Sequence, residues 1–517
     1  MSTKARWSIY ALLIVIALSF RLFIALRLPN DEPDDGRVYS QIARNLLEQH
    51  VYSIESQAPY TPTLIRVPGY PLFVAAIYSI FGHGNNTAVR VVQAVLDTIT
   101  CALIAWVVFE WSRKRWPAMI ALALAAVCPF TAIYVSTILT EVPTNFLAVA
   151  MVLTTTFAFK ATTRKRVLMW WIVTGLLAGI AVFFRPDSGL FAAAIGLTLM
   201  VSGLRKFREA TLQAAVFSLA FCLVLVPWTI RNRRLFHVFQ PLSPAHAEMP
   251  GEFVPRGYLL WVRTWLDDQR YVGPALWAMD TRQIHVEDFP ARAFDSKEER
   301  DRVAALFEKY NHPDGEEADE QQSADDDQGD DSSSDEGDEQ EEEPEPEEHP
   351  EPADANVEMT PDIDAGFAQI GQERVAHSRL RYYVVLPLKR AMTLWFDTHS
   401  QYYPFNGELL PLEDLDHDIH QQYWLPLFAG LTGIYTLLGV IGGWLLWRSG
   451  DRRWLLLAAL MIFLRLGFFA TLENPEPRYT VELFPFLILV AAAGLATVFR
   501  QDLQDFHDNH ENPVNPV

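Results

Sequence analysis

The sequence predicts an all-α polytopic membrane protein with about ten spans. Half of its 517 residues are hydrophobic, and most of these lie in apolar runs near the length of about 20 residues that crosses a bilayer as an α-helix. Loops rich in Lys and Arg alternate with acidic or neutral loops between these runs, which is typical of a chain that crosses a membrane repeatedly. The mean hydropathy is only +0.08 because one acid-rich segment offsets the apolar runs.

The first predicted span is 7–28. It follows Lys4 and Arg6 and has no small-residue cleavage site before the acidic loop, so we expect an uncleaved span that leaves the cytoplasm. The loop at 31–71 is therefore expected on the outer face of the membrane, with a helix that runs to His50.

The apolar segment 67–82 begins with Pro68 and Pro71 and is shorter than a span, which favours an interfacial or re-entrant helix. Treating this segment as non-spanning puts the basic loops at 112–116 and 162–166 in the cytoplasm, where positive charge belongs. The remaining predicted spans are 87–111, 117–136, 142–160, 168–184, 188–203, 211–230, 424–447, 454–471 and 480–500.

This order of spans divides the chain into four parts, which are an N-terminal membrane module at 1–235, an outer region at 236–422, C-terminal spans at 423–500 and a polar cytoplasmic tail at 501–517. In the outer region, Lys389 and Arg390 interrupt an apolar run, which predicts an interfacial amphipathic helix there. Both termini are expected in the cytoplasm, and the membrane is expected to be the cell (inner or plasma) membrane.

An acid-rich tract at 316–354 accounts for the whole net charge of −21. It holds 21 Asp and Glu and no Lys, Arg or aromatic residue, so the rest of the chain carries 42 acids (63 − 21) and 42 bases. This composition predicts a disordered loop, since such a segment buries too little apolar surface to offset the entropy lost on ordering. It shows no spacing of calcium ligands, and we expect the chemistry not to depend on it.

Other residue types narrow the function classes. The three cysteines, Cys101, Cys128 and Cys222, lie in apolar runs without CxxC spacing and are expected to be small core residues. The absence of a Gly-rich phosphate loop and of an inverted repeat disfavours nucleotide-driven pumps and secondary transporters. The lipid bilayer is an expected partner and nucleic acid is not.

The first outer loop is the expected place of the chemistry. Four acids occur in the five residues at 31–35, and carboxylates beside hydrocarbon are costly unless they have a task. On charge alone a solvated loop cap is the favoured explanation, since exposed clusters of Asp and Glu are common. The spacing favours chemistry, because Asp35 precedes Tyr39 by four residues and the motifs IARNLL (42–47) and RVPGYP (66–71) follow in that order.

This ordered set resembles the GT-C glycosyltransferases, and more narrowly the protein mannosyltransferase and aminoarabinose transferase family. In that family the first outer loop carries an acid, a Tyr four residues later, an A-R-like helix and a Pro-rich aromatic turn. The resemblance covers 7–235 well and 473–500 locally, and it implies a GT-C-like helical bundle. Further segments that resemble family motifs in the same order are LTE (139–141), FFRPDSG (183–189), PWTIRN (227–232) and PEPRYTVELFP (475–485).

The resemblance implies a polyprenyl-phosphate-linked sugar donor, an acceptor hydroxyl on a lipid, protein or glycan, and inversion at the anomeric carbon. Asp35 would be the general base, and Glu141 would orient Asp35 or the acceptor. Arg185, Arg231 and Arg478 are candidates to hold the donor phosphate, since guanidinium geometry matches phosphate. The expected substrate-binding residues are Tyr39, Arg66, Tyr70, Arg185, Arg231, Asn232, Arg478 and Tyr479.

Simpler explanations stand beside these assignments. Glu141 could cap a helix start, and an Arg after an apolar run could extend to the lipid headgroups. An alternative function is a transporter or flippase for a lipid-linked or anionic substrate, which would place charges at mid-membrane depth; only Asp97 and Arg465 lie there. A structural protein that recruits partners through its acidic loop would leave the ordered motifs unexplained. No metal ligand is assigned, and a need for a divalent metal ion stays open.

Overall fold

The computed structural model describes residues 3–28, 34–313, 357–396, 419–450 and 452–511. All regular secondary structure in this part of the chain is helical, which confirms the predicted fold class. The acid-rich tract at 316–354 lies outside the described residues, as do Asp31 and Glu32 of the first loop.

The described residues form two compact units, and the larger one consists of Met1–Val254 and Leu388–Val517. Its first ten α-helices are α1 (Thr3–Arg27), α2 (Asp34–Glu48), α3 (Gly69–Phe81), α4 (Asn86–Ser112), α5 (Arg115–Ala126), α6 (Pro129–Ala132), α7 (Glu141–Lys160), α8 (Arg164–Phe184), α9 (Gly189–Ser202) and α10 (Phe207–Phe236). The smaller unit, Pro255–Pro387, contains α11 (Arg256–Arg263), α12 (Lys297–Asn311) and α13 (Pro361–His377). The chain continues with α14 (Leu386–Phe396), α15 (Ile419–Ser449), α16 (Arg452–Ala470) and α17 (Phe484–Glu511).

Within the described residues, eight helices are long and apolar enough to cross a membrane. The predicted spans 117–136 and 188–203 are not among them. The second of these is α9, which has 14 residues and is therefore only about 21 Å long. The qualifying segments are Trp7–Arg27, Asn86–Ser112, Glu141–Lys160, Arg164–Phe184, Leu204–Phe236, Tyr423–Ser449, Arg452–Ala470 and Pro477–Val498.

The predicted span 117–136 is broken in the middle. The helix α5 ends at Ala126, and the helical segment Pro129–Ser136 is bent away from it by 52°. Pro129 has no backbone N–H and its ring crowds the preceding turn, so α5 cannot continue through it. Counting the bent pair as one span gives nine spans in place of about ten.

Arg21 of α1 stabilises the end of α5 at this bend. Its Nε pairs with the carboxylate of Asp97 in α4 at 2.6 Å. Its other N–H groups donate to the carbonyl oxygens of Ala126 at 2.9 Å and Ala125 at 3.0 Å. These carbonyls belong to the last turn of α5, and no following turn supplies N–H groups to them. Asp97, which the sequence left as an isolated interior acid, thus belongs to a buried structural pair.

The helix α10 is longer than its predicted span 211–230. It runs from Phe207 to Phe236, so Arg231 and Asn232 lie inside the helix and not in a loop after it. The helix can continue because Arg233 and Arg234 stand in its last turn, where the exposed carbonyl ends favour positive charge.

The segment at 67–82 forms a short helix, as predicted. This helix, α3, has 13 residues and is about 20 Å long. Its residues Tyr70, Val74 and Tyr78 are fully buried. A Cβ at Gly69 would lie 2.4 Å from the carbonyl oxygen of Phe183, so only glycine lets α3 approach the end of α8 this closely.

A helix also forms around Lys389 and Arg390, as predicted. Its sides differ from the expected amphipathic pattern, because Arg390 is buried whereas Leu388 and Met392 are exposed. Burying Arg390 turns these apolar side chains outward, one helical turn apart. The position of this helix at a membrane interface stays a prediction.

The smaller unit has an aromatic core of its own, within the region where the sequence indicated only an outer loop. Tyr258 and Trp261 of α11 pack on Phe367 of α13, with ring centroids 5.0 and 5.2 Å apart. A Cβ at Gly257 would lie 2.1 Å from the carbonyl oxygen of Asp364, so this glycine allows α11 and α13 to touch. These contacts join residues about a hundred positions apart, beyond the reach of a local pattern.

The Arg21–Asp97 pair predicts a distinctive pattern of stability. We expect Arg21→Met to lower the free energy of unfolding by about 3–5 kcal/mol, because it leaves Asp97 buried and unpaired. The double variant Arg21→Met/Asp97→Asn should regain part of this loss, since the uncompensated charge is gone. Unfolding in detergent measures both effects, and Arg27→Met on the exposed side of α1 is the control. A double variant no more stable than Arg21→Met would contradict the explanation.

Candidate active site

The predicted site residues lie in the larger unit, on elements that meet at one end of its helices. Asp35 stands in the first turn of α2, where free backbone N–H groups favour a carboxylate. Glu141 is the first residue of α7, and Arg185 directly follows α8. Arg478 and Tyr479 belong to a 3₁₀ segment, Pro477–Leu483, that precedes α17.

Two guanidinium groups hold Asp35. Arg66 donates from Nη2 to one carboxylate oxygen at 2.8 Å, and Nη1 of Arg478 lies 3.4 Å from the other. Burial by itself would raise the pKa of Asp35, but the charges of Arg478 and Arg66 outweigh it and hold the pKa below its ordinary value. The carboxylate remains 29% exposed. Asp35 is therefore an ionised carboxylate that stays partly exposed, and its role as the general base stays a prediction.

Tyr39 and Tyr70 form an aromatic wall at the α2–α3 contact. Their rings meet edge to face with centroids 5.0 Å apart, and the Tyr70 hydroxyl donates to Oε1 of Gln93 at 2.8 Å. Burial, and then the negative charge of Asp35, raise the pKa of Tyr39. Tyr39 therefore keeps its hydroxyl proton at neutral pH. Tyr70 is fully buried, and the substrate contacts assigned to both residues stay predictions.

Glu141 is held by Arg185. The two side chains pair at 2.8 Å between Oε1 and Nη1, and Glu141 is only 2% exposed. Its second oxygen, Oε2, has no hydrogen-bond partner among the described residues. Burial would lower the pKa of Arg185, but the carboxylates of Glu482, Asp187 and Glu141 raise it, so its charge is secure.

Tyr479 connects the surroundings of Asp35 and Glu141. Its ring centroid lies 5.1 Å from the guanidinium carbon of Arg478 and 5.4 Å from that of Arg185. The ring also stacks on Phe469 with centroids 4.5 Å apart. Arg478 in turn pairs with Glu476 at 2.6 Å. The Tyr479 ring thus attracts both guanidinium groups through its π electrons.

Arg231 occupies a different environment from the other three arginines. Its guanidinium carbon lies 4.4 Å from the Trp228 ring centroid and 5.1 Å from that of Tyr52. Its Nη1 donates to the carbonyl oxygen of Thr63 and to Oδ1 of Asn232, both at 2.9 Å. In the described part of the chain it has no carboxylate partner, so its charge is not neutralised.

The structure gives Asn232 a supporting position. Its side chain is fully buried, and its Nδ2 donates to the carbonyl oxygen of Gln240 at 2.7 Å. With Oδ1 occupied by Arg231, both polar ends of the amide are used. Asn232 thereby orients Arg231, and the substrate contact assigned to Asn232 stays a prediction.

The sequence analysis missed three acids that contact these arginines. Asp187, Glu476 and Glu482 lie inside the quoted motifs FFRPDSG and PEPRYTVELFP, each within four residues of Arg185 or Arg478. The available signal was an acid close to an Arg at the end of an apolar run, where a charge requires a partner. Arg465, noted only as an interior charge, is a further member of this cluster.

A metal site is not formed by the described residues, since no three His, Cys, Asp or Glu side chains group so as to hold an ion. Asp35 and Glu141 each face guanidinium groups. The chemistry that the arrangement itself offers is proton acceptance by a carboxylate and anion binding by a guanidinium.

Residues 62–230, about a third of the chain, match the model of a family described as dolichyl-phosphate-mannose-protein mannosyltransferase. The matched segment contains Arg66, Glu141 and Arg185, and it leaves out Asp35 and Arg231. The family resemblance predicted from the sequence is thereby confirmed. No curated protein matches this chain.

The fold is similar to that of the oligosaccharyltransferase AglB from Archaeoglobus fulgidus, solved with an inhibitory peptide and a dolichol-phosphate. The TM-score is 0.50 at 13% identity, and the match covers 100% of this chain and 53% of that one. This chain thus spans about half the length of AglB. ArnT from Cupriavidus metallidurans matches over 96% of this chain and 78% of that one, with a TM-score of 0.38 and 14% identity.

The two arginines on Asp35 predict how this carboxyl titrates. Removing one of them in Arg66→Gln should raise the pKa of Asp35, because the ionised form loses a neighbouring positive charge. Carbodiimide couples to protonated carboxyl groups, so its reaction with Asp35, followed by mass spectrometry, should extend to higher pH in Arg66→Gln. Arg113→Gln at the end of α4 is the control. Identical labelling profiles for parent and Arg66→Gln would refute the assigned effect.

Proposed function

We propose that this protein is a membrane glycosyltransferase of the GT-C type that moves a sugar from a polyprenyl-phosphate-linked donor to an acceptor hydroxyl. One observation carries the proposal: an ionised, partly exposed carboxylate, Asp35, and an unneutralised guanidinium, Arg231, contact the same loop between α2 and α3. A base for the hydroxyl and a cation for the phosphate are the two groups that this reaction needs.

In the proposed reaction, Asp35 accepts the proton of the acceptor hydroxyl. The hydroxyl oxygen forms a bond to the anomeric carbon of the sugar while the bond from that carbon to the phosphate oxygen breaks. The electron pair of the broken bond leaves with the polyprenyl phosphate. Attack from the face opposite the phosphate inverts the anomeric centre. Because the pKa of Asp35 is low, it takes the proton late, when the new bond has made the hydroxyl acidic.

Arg231 is our candidate for the donor phosphate. Arg66, Arg185 and Arg478 already pair with carboxylates, and a phosphate would have to displace those pairs. Arg231 can bind phosphate without such a loss, and its guanidinium lies over the rings of Tyr52 and Trp228.

The helix that carries Arg231 also suits a lipid tail. Leu219, Leu223 and Ile230 of α10 are exposed. They follow one another by four and then seven residues, which places them on one apolar face of the helix. These exposed apolar side chains end at Ile230, next to Arg231 in the sequence, as the chain of a polyprenyl phosphate ends at its phosphate. We propose that the site faces the outside of the cell membrane, because the basic loops are then cytoplasmic.

The transporter alternative finds less support. Its mid-membrane charges would be Asp97 and Arg465, and the bent span at α5 would be its broken helix. Yet Asp97 pairs with Arg21, whose remaining contacts are backbone carbonyls. Such a closed pair offers little to a passing substrate.

The role of Asp35 is tested by Asp35→Asn, which keeps the size of the side chain and removes the base. We expect transfer of radiolabelled sugar from polyprenyl-phosphate donors to crude membranes to fall by about a hundred- to ten-thousand-fold. Donor binding should stay near that of the parent. Asp34→Asn is the matched control, and it should transfer normally. An active Asp35→Asn beside an inactive Asp34→Asn would show that the base is assigned one residue too late.

The role of Arg231 is tested by Arg231→Gln. Loss of a charge-assisted contact should raise the donor KM by about ten- to a hundred-fold, while kcat changes little. Arg208→Gln, at the opposite end of α10, should leave both constants unchanged. If Arg231→Gln retains the parent KM, the phosphate is bound elsewhere.

A further inference from the structure

We propose that Arg185, Asp187, Arg465 and Glu482 form a closed ring of ion pairs that positions Glu141, and that Glu141 accepts a hydrogen bond from a hydroxyl group of a substrate. The inference rests on the proposed glycosyl transfer. In this assignment Arg185 is a positioning residue and no longer a candidate for the donor phosphate.

The ring alternates two guanidinium groups with two carboxylates. Glu482 lies 3.0 Å from Nη1 of Arg185 through one oxygen and 3.1 Å from Nη2 of Arg465 through the other. Asp187 likewise lies 3.3 Å from Nε of Arg185 and contacts Nη1 of Arg465. The contacts of Glu482 are ion pairs by distance, whereas Arg185 also has hydrogen-bond geometry toward Asp187. Each acid therefore bridges both arginines.

The members come from elements far apart in the sequence. Arg185 and Asp187 lie between α8 and α9, Arg465 is in α16, and Glu482 is just before α17. The side chains of Arg465 and Glu482 are 0% exposed. Such charges are costly to remove from water unless they are paired, and loss of one partner leaves the others uncompensated. The ring is thus a stiff connection whose geometry allows little change.

Glu141 is the carboxylate left over once the ring is complete. Two arginines and two acids neutralise one another, so Glu141 is a fifth group that shares Nη1 of Arg185 with Glu482, at 2.8 and 3.0 Å. Arg185 is therefore only partly available to neutralise Glu141. The position of Glu482 determines how Nη1 of Arg185 is shared between the two carboxylates.

The free oxygen of Glu141 indicates the kind of ligand. Oε2 is buried and has no hydrogen-bond partner among the described residues, which is an unfavourable state for a charged group. A carboxylate only accepts hydrogen bonds, so the missing partner must donate one. The donor sugar and the acceptor of the proposed reaction both carry hydroxyl groups that meet this need.

A double-mutant cycle distinguishes positioning from a purely structural ring. Glu482→Gln should lower kcat by about ten- to a hundred-fold, the range expected when a reacting geometry is displaced by about 1 Å, with the donor KM within about twofold. In a Glu141→Gln background the same change should alter kcat by less than about threefold, because Glu482 acts only through Glu141.

The control is Glu110→Gln. Glu110 lies near the C-terminal end of α4 and pairs with Lys160 and Arg113. This variant should keep the parent kcat. If Glu482→Gln does not fold, Asp187→Asn makes the same test from a more exposed position. If Glu482→Gln lowers kcat equally in the parent and in the Glu141→Gln background, Glu482 does not act by positioning Glu141. Sugar transfer by the parent would still support the proposed function in that case. A parent that transfers no sugar would refute that function, and the ring's role with it.

Discussion

The cost of removing charge from water governs the candidate site. Two networks of ion pairs lie beside each other at one end of the larger unit, and the Tyr479 ring contacts one arginine of each. Each charge would cost several kcal/mol if left alone, so the position of each side chain depends on its partners. The members are Asp35, Arg66, Arg478 and Glu476 in one network and Glu141, Arg185, Asp187, Arg465 and Glu482 in the other.

The same constraint explains features of the bundle away from the site. Arg21 reaches Asp97 and the open carbonyls of α5 because a buried guanidinium requires several acceptors at once. The break at Pro129 supplies those carbonyls. Gly69, which has no side chain, lets α3 meet the end of α8 beside Arg185. Ion pairing and close backbone contact therefore act together to fix the elements around the site.

Pairing also divides the arginines by role. Arg66 and Arg478 keep Asp35 ionised, and Arg185 belongs to the ring that holds Glu141. Arg231 stands apart on aromatic rings, with its charge unneutralised by any carboxylate in the described residues. In a low-dielectric setting such a charge is a strong attractor for an anion. The proposed donor phosphate would neutralise the charge of Arg231 as well as take part in the reaction.

The sequence by itself determined the helical class, most spans and the short α3 helix, and it predicted Asp35 and Glu141 as the central acids of the proposed site. Span length and motif spacing are local properties, which a single chain displays directly. Only the tertiary structure decided the break before Pro129, the aromatic core of the smaller unit, and which cation meets which acid. Arg478 and Asp35 are 443 residues apart, and no periodic pattern connects them. Glu482 and Asp187 were not predicted as site residues for the same reason. An ion pair depends on the distance between side chains in space, which sequence spacing does not reveal.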